Sequence, residues 1–217
     1  MNSKRGISHS KRGILQSEKP QDSAEGLIAS FGNNQNIGTL LGVENGATTL
    51  EWSGKRMDPG HLKLLGAELG AGRNAKDVQT ITMSSNPSIL NQYTGTGELG
   101  KEDMSGMDAV CANISQVATW NLSDCGLTSS AVLSLTGINW KETNLQSLTL
   151  DSTGATDEES SSTYTLLAED TTINLARKNL GAADIKLVCK WLTVPRVADT
   201  ATGQFSMEES CFLLQKS

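Results

Sequence analysis

Few residues in this chain have the types and spacing that chemistry needs. Gly95-Thr96-Gly97-Glu98-Leu99-Gly100 matches G-x-G-x-x-G letter for letter. A dinucleotide site needs those glycines between a strand and a helix start, where backbone amides meet a pyrophosphate. Here the lead-in is Asn91-Gln92-Tyr93-Thr94, which is not an apolar strand, and Glu98 would set negative charge beside the phosphates. Gly70-Ala71-Gly72 follows a helix-like stretch and reads as its stop. There is no G-x-x-x-x-G-K-[ST] and no G-x-S-x-G. A Ser–His–Asp set would have to recruit His61, just past a helix cap, because His9 lies in a basic tail. Asp157-Glu158-Glu159 lacks the alternating ligand order of a calcium loop. Cys111, Cys125, Cys189 and Cys211 are separated by 14, 64 and 22 residues, with no C-x-x-C and no nearby His, which is a poor zinc pattern. The expectation is a chain with no catalytic residue, no metal site and no cofactor.

The elements that would position any site follow from composition and pattern. The 217 residues carry 18 basic and 24 acidic side chains, a net charge of −6. That argues against a general nucleic-acid binder, which needs a broad basic surface. No apolar run approaches the ~20 residues of a membrane-crossing helix, so no membrane insertion is expected. The opening residues do not read as a signal peptide, so reduced cysteines in an intracellular, cytoplasmic protein are expected. The first residues are basic: Ser3-Lys4-Arg5-Gly6-Ile7 recurs as Ser10-Lys11-Arg12-Gly13-Ile14, with no acid before Glu18. Such a composition cannot offset ordering entropy, so residues 1–22 read as a disordered tail. Lys4, Arg5, Lys11 and Arg12 are its candidate contacts to an acidic partner, and an organellar import address is the alternative.

A repeat dominates the rest. Five segments alternate polar and apolar side chains with the period of a half-buried strand. They begin at Thr49, Thr80, Thr119, Ser147 and Thr172, and their first apolar positions are 50, 81, 120, 148 and 173. A fainter copy follows at Ala198-x-Thr200 with Phe205. Helix-like stretches lie between them. Asp58-Pro59 reads as a cap and first helical residue, and Leu62, Leu65 and Leu69 form an apolar face that ends at Gly70-Ala71-Gly72. Met107, Val110 and Ile114, then Ala131, Val132 and Leu135, then Leu187, Val188 and Trp191 carry similar stripes. The longest interval, 39 residues between the second and third strands, implies an insertion at Pro87 to Gly106. Gly154 to Thr165 is acidic and Ser/Thr-rich, and the expected helix there is short or absent. A doubly wound α/β domain also alternates strand and helix. Its buried strands, however, are continuous Val/Ile runs, unlike these short alternating ones.

Trp120-x-Leu122-x-x-Cys125-x-Leu127, preceded by Val117, resembles the pattern L-x-x-L-x-L-x-x-N/C-x-L of the leucine-rich repeat family. Leu148-x-Leu150-x-x-Thr153-x-Ala155, preceded by Leu145, is similar with Thr in place of Asn. Asn86 takes the N/C position of the second copy, while Lys55 and Lys178 take it in the first and fifth. Repeat lengths near 28 with a full helix look like the ribonuclease-inhibitor-like subclass. The resemblance implies an α/β leucine-rich-repeat solenoid, with a short curved parallel sheet on the concave side and helices on the convex side. Residues 23–47 would be an N-terminal cap, 48–195 the repeats, and 196–217 a degenerate repeat or cap. Asn or Cys at the turn bonds backbone groups of the adjacent coil. Lysine cannot accept such bonds, so the turns at Lys55 and Lys178 must be satisfied otherwise.

On this reading the concave face presents Glu51, Ser53, Thr82, Ser84, Asn121, Ser123, Thr149, Asp151 and Asn174. Those side chains are small and polar, with no aromatic or Arg anchor of the kind that dominates interfaces. The family implies protein–protein binding. The expected function is a non-enzymatic interaction or scaffold module, a subunit of a larger assembly in its specific form. Two alternatives are a small-GTPase regulator of the same repeat type and a nucleotide-dependent enzyme using Gly95–Gly100.

Overall fold

A computed structural model describes residues 20–93, 99–154, 162–170 and 172–194. The described residues form a mixed α/β structure with one five-stranded, mostly parallel sheet. Its strands are β1 (Thr49–Glu51), β2 (Thr80–Thr82), β5 (Thr119–Asn121), β6 (Ser147–Asp151) and β7 (Thr163–Leu167). Strand order in the sheet is β1-β2-β5-β6-β7, so neighbours in the sheet follow chain order. An antiparallel hairpin of β3 (Asn91–Tyr93) and β4 (Leu99–Glu102) stands apart inside the expected insertion.

The sequence alternation sets the register. Leu50, Ile81, Trp120 and Leu148 lie side by side across four parallel strands, as do Thr49, Thr80, Thr119 and Ser147. The apolar member of each strand faces the core, and Ile81, Trp120 and Leu148 are fully buried. Val78, Val117 and Leu145, each three residues earlier, are fully buried too. One strand cannot cover its own apolar side, so each neighbour contributes core to the next.

The helices are α1 (Pro20–Asn33), α2 (Pro59–Ala71), α3 (Ser105–Cys111), α4 (Ser129–Thr136) and α5 (Ala182–Leu192). Each packs on the next in chain order. The start of α2 is as its sequence requires: the Asp58 side chain accepts from the His61 N–H at 2.9 Å, and Pro59 opens the helix. Gly72 closes it in the left-handed conformation at φ 59°. The α2–α3 approach depends on missing side chains. A Cβ on Gly66 would lie 2.6 Å from the Ala109 carbonyl carbon, and one on Gly106 would collide with the Pro59 carbonyl oxygen.

The turns after the strands repeat their backbone conformation. Four residues past the first apolar position, Gly54, Ser85, Asp124 and Arg177 all have positive φ. Two residues further on, Arg56, Gly126 and Asn179 do as well. A left-handed residue without glycine's freedom is costly, so its recurrence at one repeat position marks a conserved geometric demand of the turn. Between turns the backbone ladder continues: the Gly54 N–H donates to the Ser84 carbonyl and the Ser85 N–H to the Ser123 carbonyl, each at 2.9 Å.

The N-terminal side of the sheet is closed by α1 and the loop that follows. Arg73 donates to the carbonyls of Phe31 (2.8 Å), Asn34 (3.0 Å) and Ile37 (2.6 Å), and lies 4.0 Å over the Phe31 ring. It supplies the cation that the last turn of α1 lacks. The buried Glu68 carboxylate accepts from Thr39 Oγ1 (2.6 Å) and from the N–H groups of Leu40 and Leu41. Because α1 starts at Pro20, the tail expected over 1–22 gives way to helix three residues early. Lys4, Arg5, Lys11 and Arg12 lie outside the described residues, as do the segment 196–217 and Asp157 to Glu159.

The C-terminal side departs from expectation. The strand expected from Thr172 does not form; Ile173 and Leu175 pack half-buried against the core, but no ladder includes them. The sheet position beside β6 is taken by β7, which pairs antiparallel with Thr149 opposite Thr165 and Asp151 opposite Thr163. An antiparallel return needs no crossover helix between β6 and β7. Residues 172–180 nevertheless keep the repeat's turn, with left-handed Arg177 and Asn179.

Candidate functional site

The side of the sheet away from the helices gathers most of the sequence-derived site residues. Glu51, Thr82, Asn121 and Thr149 form one row across β1, β2, β5 and β6, in direct register. Ser53, Ser84 and Ser123 follow two residues on, past the strand ends. Glu51 is exposed and the other six are half-buried. The rows are held by short polar contacts. Ser84 Oγ donates to Ser53 Oγ at 2.8 Å, and Ser53 Oγ donates in turn to the Glu51 carboxylate. The Ser53 hydroxyl holds the Glu51 carboxyl below its ordinary 4.5. The Asn121 side chain accepts the Ser123 N–H at 3.0 Å, as Asn174 accepts that of Ala176 at 3.1 Å.

Two residues expected in this face are elsewhere. Asp151 is 8% exposed: it accepts the Asp124 N–H at 2.5 Å and Thr163 Oγ1 at 2.7 Å. Its carboxylate takes the place that backbone carbonyls of Ser84 and Ser123 hold at earlier turns, because β6 runs straight on into its pairing with β7. Asn174 is exposed but lies off the sheet, in the segment displaced by β7. The row instead continues through Thr165, whose hydroxyl meets that of Thr149 at 2.9 Å, and through Thr163. The sequence signal for both was the alternation Thr163-Tyr164-Thr165-Leu166, embedded in a stretch whose composition suggested loop.

The turn positions carry the interior polar chemistry. Asn86 is fully buried; its Oδ1 accepts the Met57 N–H at 2.9 Å, and its Nδ2 donates to the carbonyls of Trp52 (2.9 Å) and Met83 (2.8 Å). Thus the first turn is satisfied from the second, and Lys55 is left exposed. Cys125 repeats the role with its thiol, donating to the Met83 carbonyl at 3.0 Å. Lys178 reaches the Thr163 carbonyl at 2.9 Å. Sequence reasoning missed Asp184, a fully buried carboxylate on α5. It accepts from the Thr153 N–H (2.7 Å), Thr153 Oγ1 (2.8 Å), the Gly181 N–H (2.8 Å) and Tyr164 OH (2.9 Å). Burial, with the Asp184 charge beside it, pushes the Tyr164 phenol well above its ordinary 10.0.

The other chemical candidates are not drawn together. Gly95, Gly97 and Glu98 lie outside the described residues, and what flanks them is an antiparallel hairpin, not the strand-to-helix turn that a pyrophosphate needs. His61 Nδ1 sits 2.7 Å from Asp58 Oδ1 at the start of α2, and the carboxylate raises the imidazole above its ordinary 6.5. Burial pushes the thiol of Cys111 up to about 12 and that of Cys125 to about 11, so neither is a ready nucleophile at neutral pH. Among the described residues no group of three His, Cys, Asp or Glu side chains could hold a metal ion. None of their helices is long and apolar enough to cross a membrane. Comparison with family models, curated proteins and solved structures gives no match to this chain.

Proposed function

We propose that the chain is a leucine-rich-repeat solenoid of the ribonuclease-inhibitor-like kind, acting as a non-enzymatic protein-interaction or scaffold module. The observation that carries this reading is the row Glu51–Thr82–Asn121–Thr149–Thr165, in register across five strands with the helices on the other side. The recurrent left-handed turns and the interior Asn86 and Cys125 bonds support the repeat assignment. A partner meets a surface of hydroxyls, one amide and one carboxylate, so its complementary groups are hydrogen-bond donors and acceptors rather than an aromatic anchor. Within a cell such a module is a subunit of a larger assembly.

Purification of the full chain from its own cells, followed by mass spectrometry of stoichiometric partners, tests this. Thr82→Arg with Asn121→Arg should abolish the association while lowering stability by about 1–2 kcal/mol, since two like charges then stand side by side on neighbouring strands and the Ser123 N–H loses its acceptor. An unaltered partner set in the double variant would sink the assignment to this face.

A further inference from the structure

We infer that the groove between the C-terminal ends of α3 and α4 seats the chain's own first basic motif, Ser3-Lys4-Arg5-Gly6-Ile7. This goes beyond the outer face of the sheet and does not depend on it. Helices α2 and α3 touch through glycines, but α3 and α4 are only seven and eight residues long and part at their ends. The gap there has a volume of about 380 Å³. Buried Ile114 and Ile138 form its floor, and exposed Asp108 and Glu142 stand on its lining. Neither carboxylate joins an ion pair among the described residues. Leu133, 40% exposed, lies one helical turn before the groove residue Gly137.

A floor of branched aliphatics beside two carboxylates suits a segment with adjacent cations and an aliphatic side chain two residues on. Lys4, Arg5 and Ile7 have that order, and so do Lys11, Arg12 and Ile14. Reach separates the two copies. Arg73 ties the C-terminal end of α1 beside that of α2, so the chain enters α1 at the far end from the groove. From Pro20 the groove lies across two to three helix spacings of roughly 8–10 Å and along the length of α2, a straight diagonal of about 30 Å. Ile7 lies 13 residues before Pro20 and can span up to about 43 Å, whereas Ile14, six residues before it, spans at most about 20 Å. Within one molecule only the first copy reaches.

Hydrogen exchange on the full chain at low salt tests the contact. Lys4→Glu with Arg5→Glu should speed exchange of amides 111–115 and 137–143 by about threefold or more. Lys11→Glu with Arg12→Glu should leave them unchanged. Asp108→Lys with Glu142→Lys should also speed exchange, and combining it with the Lys4 and Arg5 reversals should restore protection, which a folding defect could not do. Because the pairs are exposed, high salt should erase the protection in the unaltered chain. Exchange indifferent to Lys4 and Arg5 overturns the proposal. Protection that rises with protein concentration also overturns it, because the groove then takes a second copy.

Discussion

The first turns of the sheet and the last one solve the same problem with different chemistry. At β1, β2 and β5 the chain leaves the strand through left-handed residues, and the buried backbone groups of the first two of these turns are met by neutral neighbours, Asn86 and Cys125. At β6 those left-handed positions are absent, the strand runs into a hairpin, and carboxylates do the work. Asp151 meets the preceding turn, and Asp184 meets Thr153, Gly181 and Tyr164. A neutral amide both donates and accepts, so it serves a turn that repeats. An ionised carboxylate only accepts, so it suits a junction where several donors converge from different elements. The difference teaches that a repeating turn uses a group that both donates and accepts, whereas its termination gathers donors onto groups that only accept.

The most severe way to break that contrast is Asp184→Ala. It strands Tyr164 OH and two backbone N–H groups in the interior and should cost about 3–5 kcal/mol, read as a lowered urea midpoint. Asn86→Ala strips the Met57 N–H of its acceptor and takes one of two donors from each of the Trp52 and Met83 carbonyls, and the same measurement should show a loss of about 2 kcal/mol. The exposed counterpart of Asp184 is Asp58, paired with His61 at the start of α2. His61 is raised above 6.5, so its contribution is complete below that pH and fades as pH rises through the raised value. Asp58 is lowered from 3.8 by the His61 contact, so its contribution is present above that pH and fades as pH falls through the lowered value. With side chains 45% and 39% exposed, screening keeps the pair below about 1 kcal/mol. His61→Gln should flatten the small decline in stability above pH 6.5. Smallest of all, Lys55→Asn should change stability by no more than about 0.5 kcal/mol, since among the described residues no earlier strand stands beside β1 to receive the new bonds.

Local pattern carried much of this architecture. The first apolar positions at 50, 81, 120 and 148 stand side by side in the sheet, and Asp58, Pro59 and Gly72 delimit α2 where their chemistry places them. Alternation does not encode strand direction, however. Thr163-Tyr164-Thr165-Leu166 and Thr172-Ile173-Asn174-Leu175 share one pattern, and the nearer segment pairs with β6 through a short return. The long-range ties were also illegible. Arg73 reaching α1 and Glu68 holding residues 39–41 span some thirty or forty positions, and nothing in their local sequence distinguishes them from surface charges. Of the candidate face, seven of nine residues came together, and the two that did not, Asp151 and Asn174, lie where β7 altered the topology.

The antiparallel β7 has a consequence for how such a chain can grow. Duplicating one strand–helix unit within β1–β6 would add a parallel strand between parallel neighbours, and every interior bond could be copied with it. Appending a unit beyond β7 would present a parallel-seeking strand to an edge that runs the other way, without the turn carbonyls it needs. Lengthening by gene duplication is therefore open in the middle of the array and closed at this end, so the hairpin acts as a direction-dependent stop to the expansion of the molecule.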